Sequence, residues 1–112
     1  GTAPSPRDPE IAARKVGVRR NGIARIRIKC PRTASRRCRG SLTLFAGRRR
    51  IGRAKFTVTA GRKAVVRVRL SSYGRRLVRR RRSLRVTAVL SSRDASGRRS
   101  VVFRRITLKR RR

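Results

Sequence analysis

The chain contains no histidine, no methionine and no tryptophan, and only three acidic residues, Asp8, Glu10 and Asp94, among its 112 positions. Each absence removes a class of chemistry. Without imidazole there is no general base poised near neutral pH and no common metal ligand. Two of the carboxylates lie close together at the N-terminal end and the third sits in a turn signal, so none is paired for acid–base work. Serines and threonines are present, but nothing is at hand to activate one as a nucleophile. No glycine-rich phosphate loop of the P-loop or dinucleotide type occurs. The expectation is a non-enzymatic protein with no cofactor and no metal. No run of about 18 apolar residues exists, so no transmembrane helix is expected. Aromatics are nearly as scarce: Phe45, Phe56, Phe103 and Tyr73 are all there are. A core must therefore be built from Val, Ile, Leu and Ala.

Cysteine is limited to Cys30 and Cys38. Two cysteines with no histidine make a poor metal site, and a disulfide is the expected use, with two reduced core cysteines as the alternative. An alternating segment runs into Cys30 through Ile26 and Ile28, and another leaves Cys38 through Leu42 and Leu44. In each, the cysteine shares the parity of the aliphatics, so the two sulfurs are expected to meet in the core. The reading is a disulfide-stapled β-hairpin. A disulfide favours an extracytoplasmic address. The opening Gly1-Thr2-Ala3-Pro4-Ser5-Pro6 reads as a mature end left by signal-peptide removal, or as a cloning remnant. The expected location is secreted, extracellular.

What the chain has in excess is positive charge. Lys and Arg number 37, for a net charge of +34. Only Lys15, Lys29, Lys55, Lys63 and Lys109 are lysines. A high-GC genome accounts for the preference for Arg over Lys; it does not account for the dearth of acids. A field of this size repels itself and draws in polyanions. Arginine adds a planar fork that fits phosphate and carboxylate.

Periodicity is that of strands. Residues 1–10 are Pro-rich and read as an extended arm. Ile11 to Arg20 gives a first strand carrying Val16 and Val18, and Asn21-Gly22 reads as a type I′ hairpin turn. Ile23 to Cys30, Ser41 to Ala46, Ile51 to Val58 and Ala64 to Leu70 alternate with period two, with a bulge expected at Ile51-Gly52. Ser71 to Ser83 breaks the pattern. A Ser71 or Ser72 cap and the Tyr73–Leu77 pair predict one or two helical turns near residues 72–80, weakened by Gly74, that cross between two sheets. Leu84 to Leu90 alternates again, and Arg93 to Gly97 reads as a hairpin loop. In the last strand, Val101 to Lys109, Val101 and Phe103 hold one phase and Ile106 and Leu108 the other, so a bulge is expected at Arg104-Arg105. About seven short strands with turns every 8–12 residues predict an all-β sandwich or barrel, and the helical crossover favours the sandwich. The domain is placed at 11–109, with a basic tail at 110–112.

The order Gly-x-Ala-x-Ile-x-Ile-x-Cys (Gly22 to Cys30), Cys-x-Gly-x-Leu-x-Leu (Cys38 to Leu44) and Ile-Gly-x-Ala-x-Phe (Ile51 to Phe56) is followed by Gly61-Arg62-Lys63 running into Val66, Val68 and Leu70. A Leu-x-Val-x-Ala strand and an Asp-x-x-Gly turn (Asp94 to Gly97) close the series. This order resembles the immunoglobulin-like modules of secreted and cell-surface actinobacterial proteins, over roughly Val16 to Leu108. The resemblance rests on spacing. It implies a seven-stranded sandwich, an extracytoplasmic address and a binding or structural role, with no catalytic residues.

The functional expectation is cationic. Phosphate contacts are assigned to outward strand positions Arg25, Arg27, Arg67 and Arg69, to loop positions Arg36, Arg37, Arg48, Arg49, Arg50, Arg98 and Arg99, to the crossover Arg79, Arg80, Arg81 and Arg82, and to the tail Arg110, Arg111 and Arg112. A solvated surface usually mixes signs, and this one does not. No recognition helix or zinc finger is present, and base stacking on single strands needs exposed aromatics, for which only Phe45 and Tyr73 offer themselves. The partner expected is therefore nucleic acid, duplex DNA first, bound through phosphates without sequence preference and coated or bundled; an acidic wall polymer comes next. The alternative is a structural surface or filament subunit, assembling through its domain and its N-terminal arm. A membrane-disrupting role ranks third for want of an amphipathic helix with a wide apolar face.

Overall fold

A computed structural model describes residues 9–12, 14–31, 37–93, 97 and 99–110. Its strands are β1 (Glu10–Ile11), β2 (Lys15–Val18), β3 (Ile23–Lys29), β4 (Arg37–Ala46), β5 (Arg49–Thr59), β6 (Lys63–Arg69), β7 (Ser83–Arg93) and β8 (Arg99–Arg110). Among the described residues one helix, α1 (Ser72–Arg81), lies between β6 and β7.

The ladders build two layers. In the back layer, β3 pairs β6 from Ile23↔Arg69 to Lys29↔Lys63, and β1 adds at Ile11↔Ile28. In the front layer the order is β2-β8-β7-β4-β5. The expected first strand divides between them: β1 pairs β3 in the back, while β2 runs parallel to β8 in the front, Lys15↔Thr107 to Val18↔Arg110. On the opposite side, a bridge between Gly52 and Leu70 ties β5 to β6. This is an immunoglobulin-like β-sandwich, a predominantly antiparallel two-layer fold with one crossover helix. Period-two alternation fills its core. Ala24, Ile26, Ile28 and Val68 from the back meet Leu42, Leu44, Ala88, Leu90 and Leu108 from the front, all fully buried.

Three local expectations change. First, Cys30 and Cys38 are joined as a disulfide, with Cα atoms 5.8 Å apart, but the strands they close are no hairpin. Among the described residues, β3 pairs within the back layer and to β2, and β4 pairs β5 and β7. The bond is a staple between layers. Shared inward parity, which does bring the sulfurs together, cannot say whether two strands lie side by side or face to face. Cys30 is further held to the β5–β6 turn by its N–H donating to Arg62 O (2.9 Å) and its carbonyl accepting from Gly61 (2.8 Å). Replacing both cysteines by alanine is expected to lower the unfolding free energy by about 2.5 kcal/mol, the closure entropy of so short a loop. The urea midpoint at constant slope measures it, and an unmoved midpoint would contradict it.

Second, the Asn21-Gly22 turn is not type I′. The Gly22 N–H donates to Arg19 O (2.9 Å), and of the two residues only Gly22, at φ 73°, has positive φ. Because β2 pairs β8 along its length and meets β3 only at its last residue, Val18↔Ala24, no regular hairpin ladder has to be closed there.

Third, β7 and β8 pair without a break from Ser83↔Lys109 to Arg93↔Arg99. There is no bulge at Arg104-Arg105. Val102 takes the inward place, and Val101 and Phe103 point out. Arg104 occupies an inward register position opposite the small Ala88 and stays half-buried. Arginine can lay its methylenes on apolar surface and keep its head in water, so keeping the ladder intact costs little here.

The expected bulge in β5 does form: the register shifts between Leu44↔Gly52 and Phe45↔Arg50, which leaves Ile51 over. Ile51 is fully buried and its carbonyl accepts from Ser71 (2.7 Å). Ser71 caps α1, its hydroxyl accepting from Gly74 N (3.2 Å). A Cβ on Gly74 would come within 2.9 Å of Ile51 Cβ, so this glycine serves the close approach of α1 to β5.

Candidate polyanion-binding surface

The arginines assigned from the sequence fall into separate groups. Arg25, Arg27, Arg67 and Arg69 all lie exposed on the outer face of the back layer, joined there by Lys29 and Lys63. Arg25 stands opposite Arg67, and Lys29 opposite Lys63. Like charges directly across a ladder are destabilising. Arg25, Arg27, Lys63 and Arg67 line a groove on this face together with Lys15, Arg19 and the exposed Val65.

On the front layer, Arg39, Arg93 and Arg99 form one row across β4, β7 and β8. With Arg37, Arg53 and Lys55 they line a groove of about 1100 Å³. Arg39, Arg53, Lys55 and Arg93 were not among the assigned positions. The alternation of Arg53 and Lys55 with Ala54 and Phe56 carried the signal for two of them.

Of the three arginines expected in a loop, Arg48 lies in the β4–β5 turn while Arg49 and Arg50 open β5; all are exposed. Arg49 sits over the Tyr73 ring, 4.1 Å from its centroid. That guanidinium ties the hairpin to α1, and Tyr73 is half-buried beneath it.

Arg79, Arg80 and Arg81 occupy the last turn of α1 and Arg82 caps it at φ 58°, its N–H bonded to Val78 O. Cations at a helix C-terminus are favourable in themselves. Arg110 joins them: its N–H donates to Arg82 O (2.8 Å) and its Nη1 to Arg79 O (3.3 Å). This cluster therefore has structural work besides any ligand. Arg75 lies across the adjoining cleft with its side chain in the space a Gly22 Cβ would fill, and its buried Nε has no hydrogen-bond partner among the described residues. Arg36, Arg98, Arg111 and Arg112 lie outside the described residues, as do Asp8 and Asp94.

Glu10 stands opposite Lys29 at the start of β1. Among the described residues no group of three or more His, Cys, Asp or Glu side chains could hold a metal, and no helix is long and apolar enough to cross a membrane. What these surfaces offer chemically is charge and hydrogen-bond donation.

No protein-family model matches the chain, and no curated protein matches it. A solved structure of murine CRIg superimposes at a TM-score of 0.48 with 10% sequence identity, over 94% of this chain and 99% of that one. A likeness of that size says nothing about what this chain binds. The disulfide and the immunoglobulin-like fold, taken from the chain itself, fit an extracellular domain.

Proposed function

We propose that this protein is a secreted, non-enzymatic, cationic immunoglobulin-like domain that binds nucleic acid through its phosphates, without sequence preference, and coats or bundles it. The observation that carries the reading is the back face, where six cations share one sheet surface and like charges stand in register across its ladder. A fold gains nothing by itself from that arrangement. A polymer that neutralises it turns the cost into affinity.

The magnitudes favour bundling. The molecule is 42 Å long, and duplex DNA passes one charge per roughly 1.7 Å, or roughly 25 over that length. A net charge of +34 exceeds this. One copy laid along one duplex keeps a surplus for a second, and cationic groups on both faces can meet both.

Self-assembly through the N-terminal arm is the weaker reading. Pro4, Pro6 and Pro9 cannot donate to a ladder, and copies of like charge need an anion between them. Protein purified at low salt is expected to carry absorbance near 260 nm that nuclease removes, together with loss of any large assemblies. Protein free of such absorbance that also binds no DNA at 50 mM salt, or assemblies that outlast complete nuclease digestion, would overturn the proposal.

A further inference from the structure

The outer face of the front layer is not uniformly charged. Its middle rows run Lys55-Ser41-Ser91-Val101 and Arg53-Thr43-Val89-Phe103 across β5, β4, β7 and β8. Cations stand on the β5 side, hydroxyls and Val89 hold the centre, and the β8 side ends on two bare apolar residues. Phe103 is 70% exposed and Val101 57%. Arg105 lies two residues beyond Phe103 on the same face of β8, roughly 7 Å along the strand, and Arg53 lies three strands across, roughly 14 Å away. Among the described residues, β2 covers β8 only from Thr107 onward, so the ring stands at an open edge of them.

An aromatic this exposed on a small domain has a cost, and apart from Val89 and Val101 its neighbours in these rows are cationic or hydroxylic. A second copy fits poorly, since its own surface would bring the same sign of charge. A duplex leaves the ring idle, because paired bases are already stacked on each other. A single strand uses all three features. Its bases lie on the ring, its base edges meet hydroxyls that both donate and accept, and its phosphates reach arginines on either side.

We propose that the front face, with Phe103 as its stacking platform, is a single-strand site, distinct from the back face that serves any phosphate backbone. This rests on the reading of the protein as a nucleic-acid binder. The bulge expected at Arg104-Arg105 would turn Phe103 inward; the unbroken ladder with β7 turns it outward and adds an exposed aromatic to this face.

The test compares a 20-nucleotide oligothymidylate, an abasic strand of the same length, a 20-base-pair duplex and polyglutamate, at 100 mM salt. Phe103→Ala is expected to weaken oligothymidylate binding by about 5- to 100-fold, the worth of one stacked base, and to leave the abasic strand and the duplex within twofold. Phe103→Trp is expected to keep the affinity. The chain has no other tryptophan, so its fluorescence reports the site alone and is expected to be quenched by oligothymidylate and not by the duplex. If Phe103→Ala leaves oligothymidylate binding unchanged while the duplex still binds, the single-strand site is wrong and the phosphate reading stands. If neither nucleic acid binds even at 50 mM salt, the underlying reading fails as well. An equal loss for polyglutamate would mark the patch as a general docking surface and overturn the assignment.

Discussion

Affinity for duplex DNA is expected to fall by about 10³–10⁵ between 50 and 200 mM salt. That is the loss for a complex in which 6–10 phosphates are neutralised and their counterions released. The back face alone supplies six cations, Arg25, Arg27, Lys29, Lys63, Arg67 and Arg69, and Lys15 and Arg19 extend it. Exposed side chains of this kind titrate phosphate charge without needing a particular base. The logarithm of affinity against the logarithm of salt should therefore be linear, with a slope of about −0.9 per contact and no dependence on sequence. Replacing Arg25 and Arg67 together by Ala is expected to shorten that slope by about 2 and to affect all duplexes alike. The same substitution removes a like-charge pair, so the free domain should melt no lower and binding should fall, the opposite signs expected of a functional surface. A flat salt response would leave the charge without this explanation.

Gly40→Ala is expected to cost about 3 kcal/mol, at the upper end of what overpacking usually costs, and to lower the melting temperature by roughly 10–20 °C. In an open strand the change would help, because glycine packs nothing and loses more entropy on folding. Here the added Cβ would overlap the Ser91 carbonyl oxygen and lie 2.6 Å from Ser92 Cα. These are backbone atoms of β7, and β4 is paired on both sides, to Phe56 of β5 and Ser92 of β7. Neither neighbour can move without opening a ladder. Arg39, Arg93 and Arg99 lie in the row beside it, so the front groove should be distorted with it. Gly97→Asn is the control. Unlike Gly40 its position has positive φ, 86°, but there is open space around the Cβ, and Asn tolerates that region. A Gly40→Ala protein as stable as the parent would mean that β4 and β7 do not approach so closely.

Much of this was legible in order along the chain. Alternation placed the inward residues of β3, β4, β6 and β7 correctly, because a half-buried strand reports its buried face every second residue. The bulge at Ile51, the Ser71 cap and the cysteine pairing were equally local signals. Where the pattern was ambiguous it misled. Val101, Val102 and Phe103 are three apolar residues in a row, and period two cannot choose between their phases. The ladder with β7 chose, by running unbroken back from Leu108 and Ile106.

The sequence by itself determined that this is a small, all-β domain with an overwhelming positive charge and two cysteines on inward-facing strand positions. Composition and a two-residue period are one-dimensional quantities, and they need no partner strand to be read. Only the tertiary structure decided which charges share a face, that the disulfide spans two layers, and that Phe103 lies outside. Those depend on which strands lie beside one another and in what register, set by long-range pairing and by the absence of a single Cβ at Gly40 and at Gly74. The cationic surface was thus visible from the start. The arrangement that puts six cations on the back face and an exposed Phe103 on the front emerged only when the two layers closed.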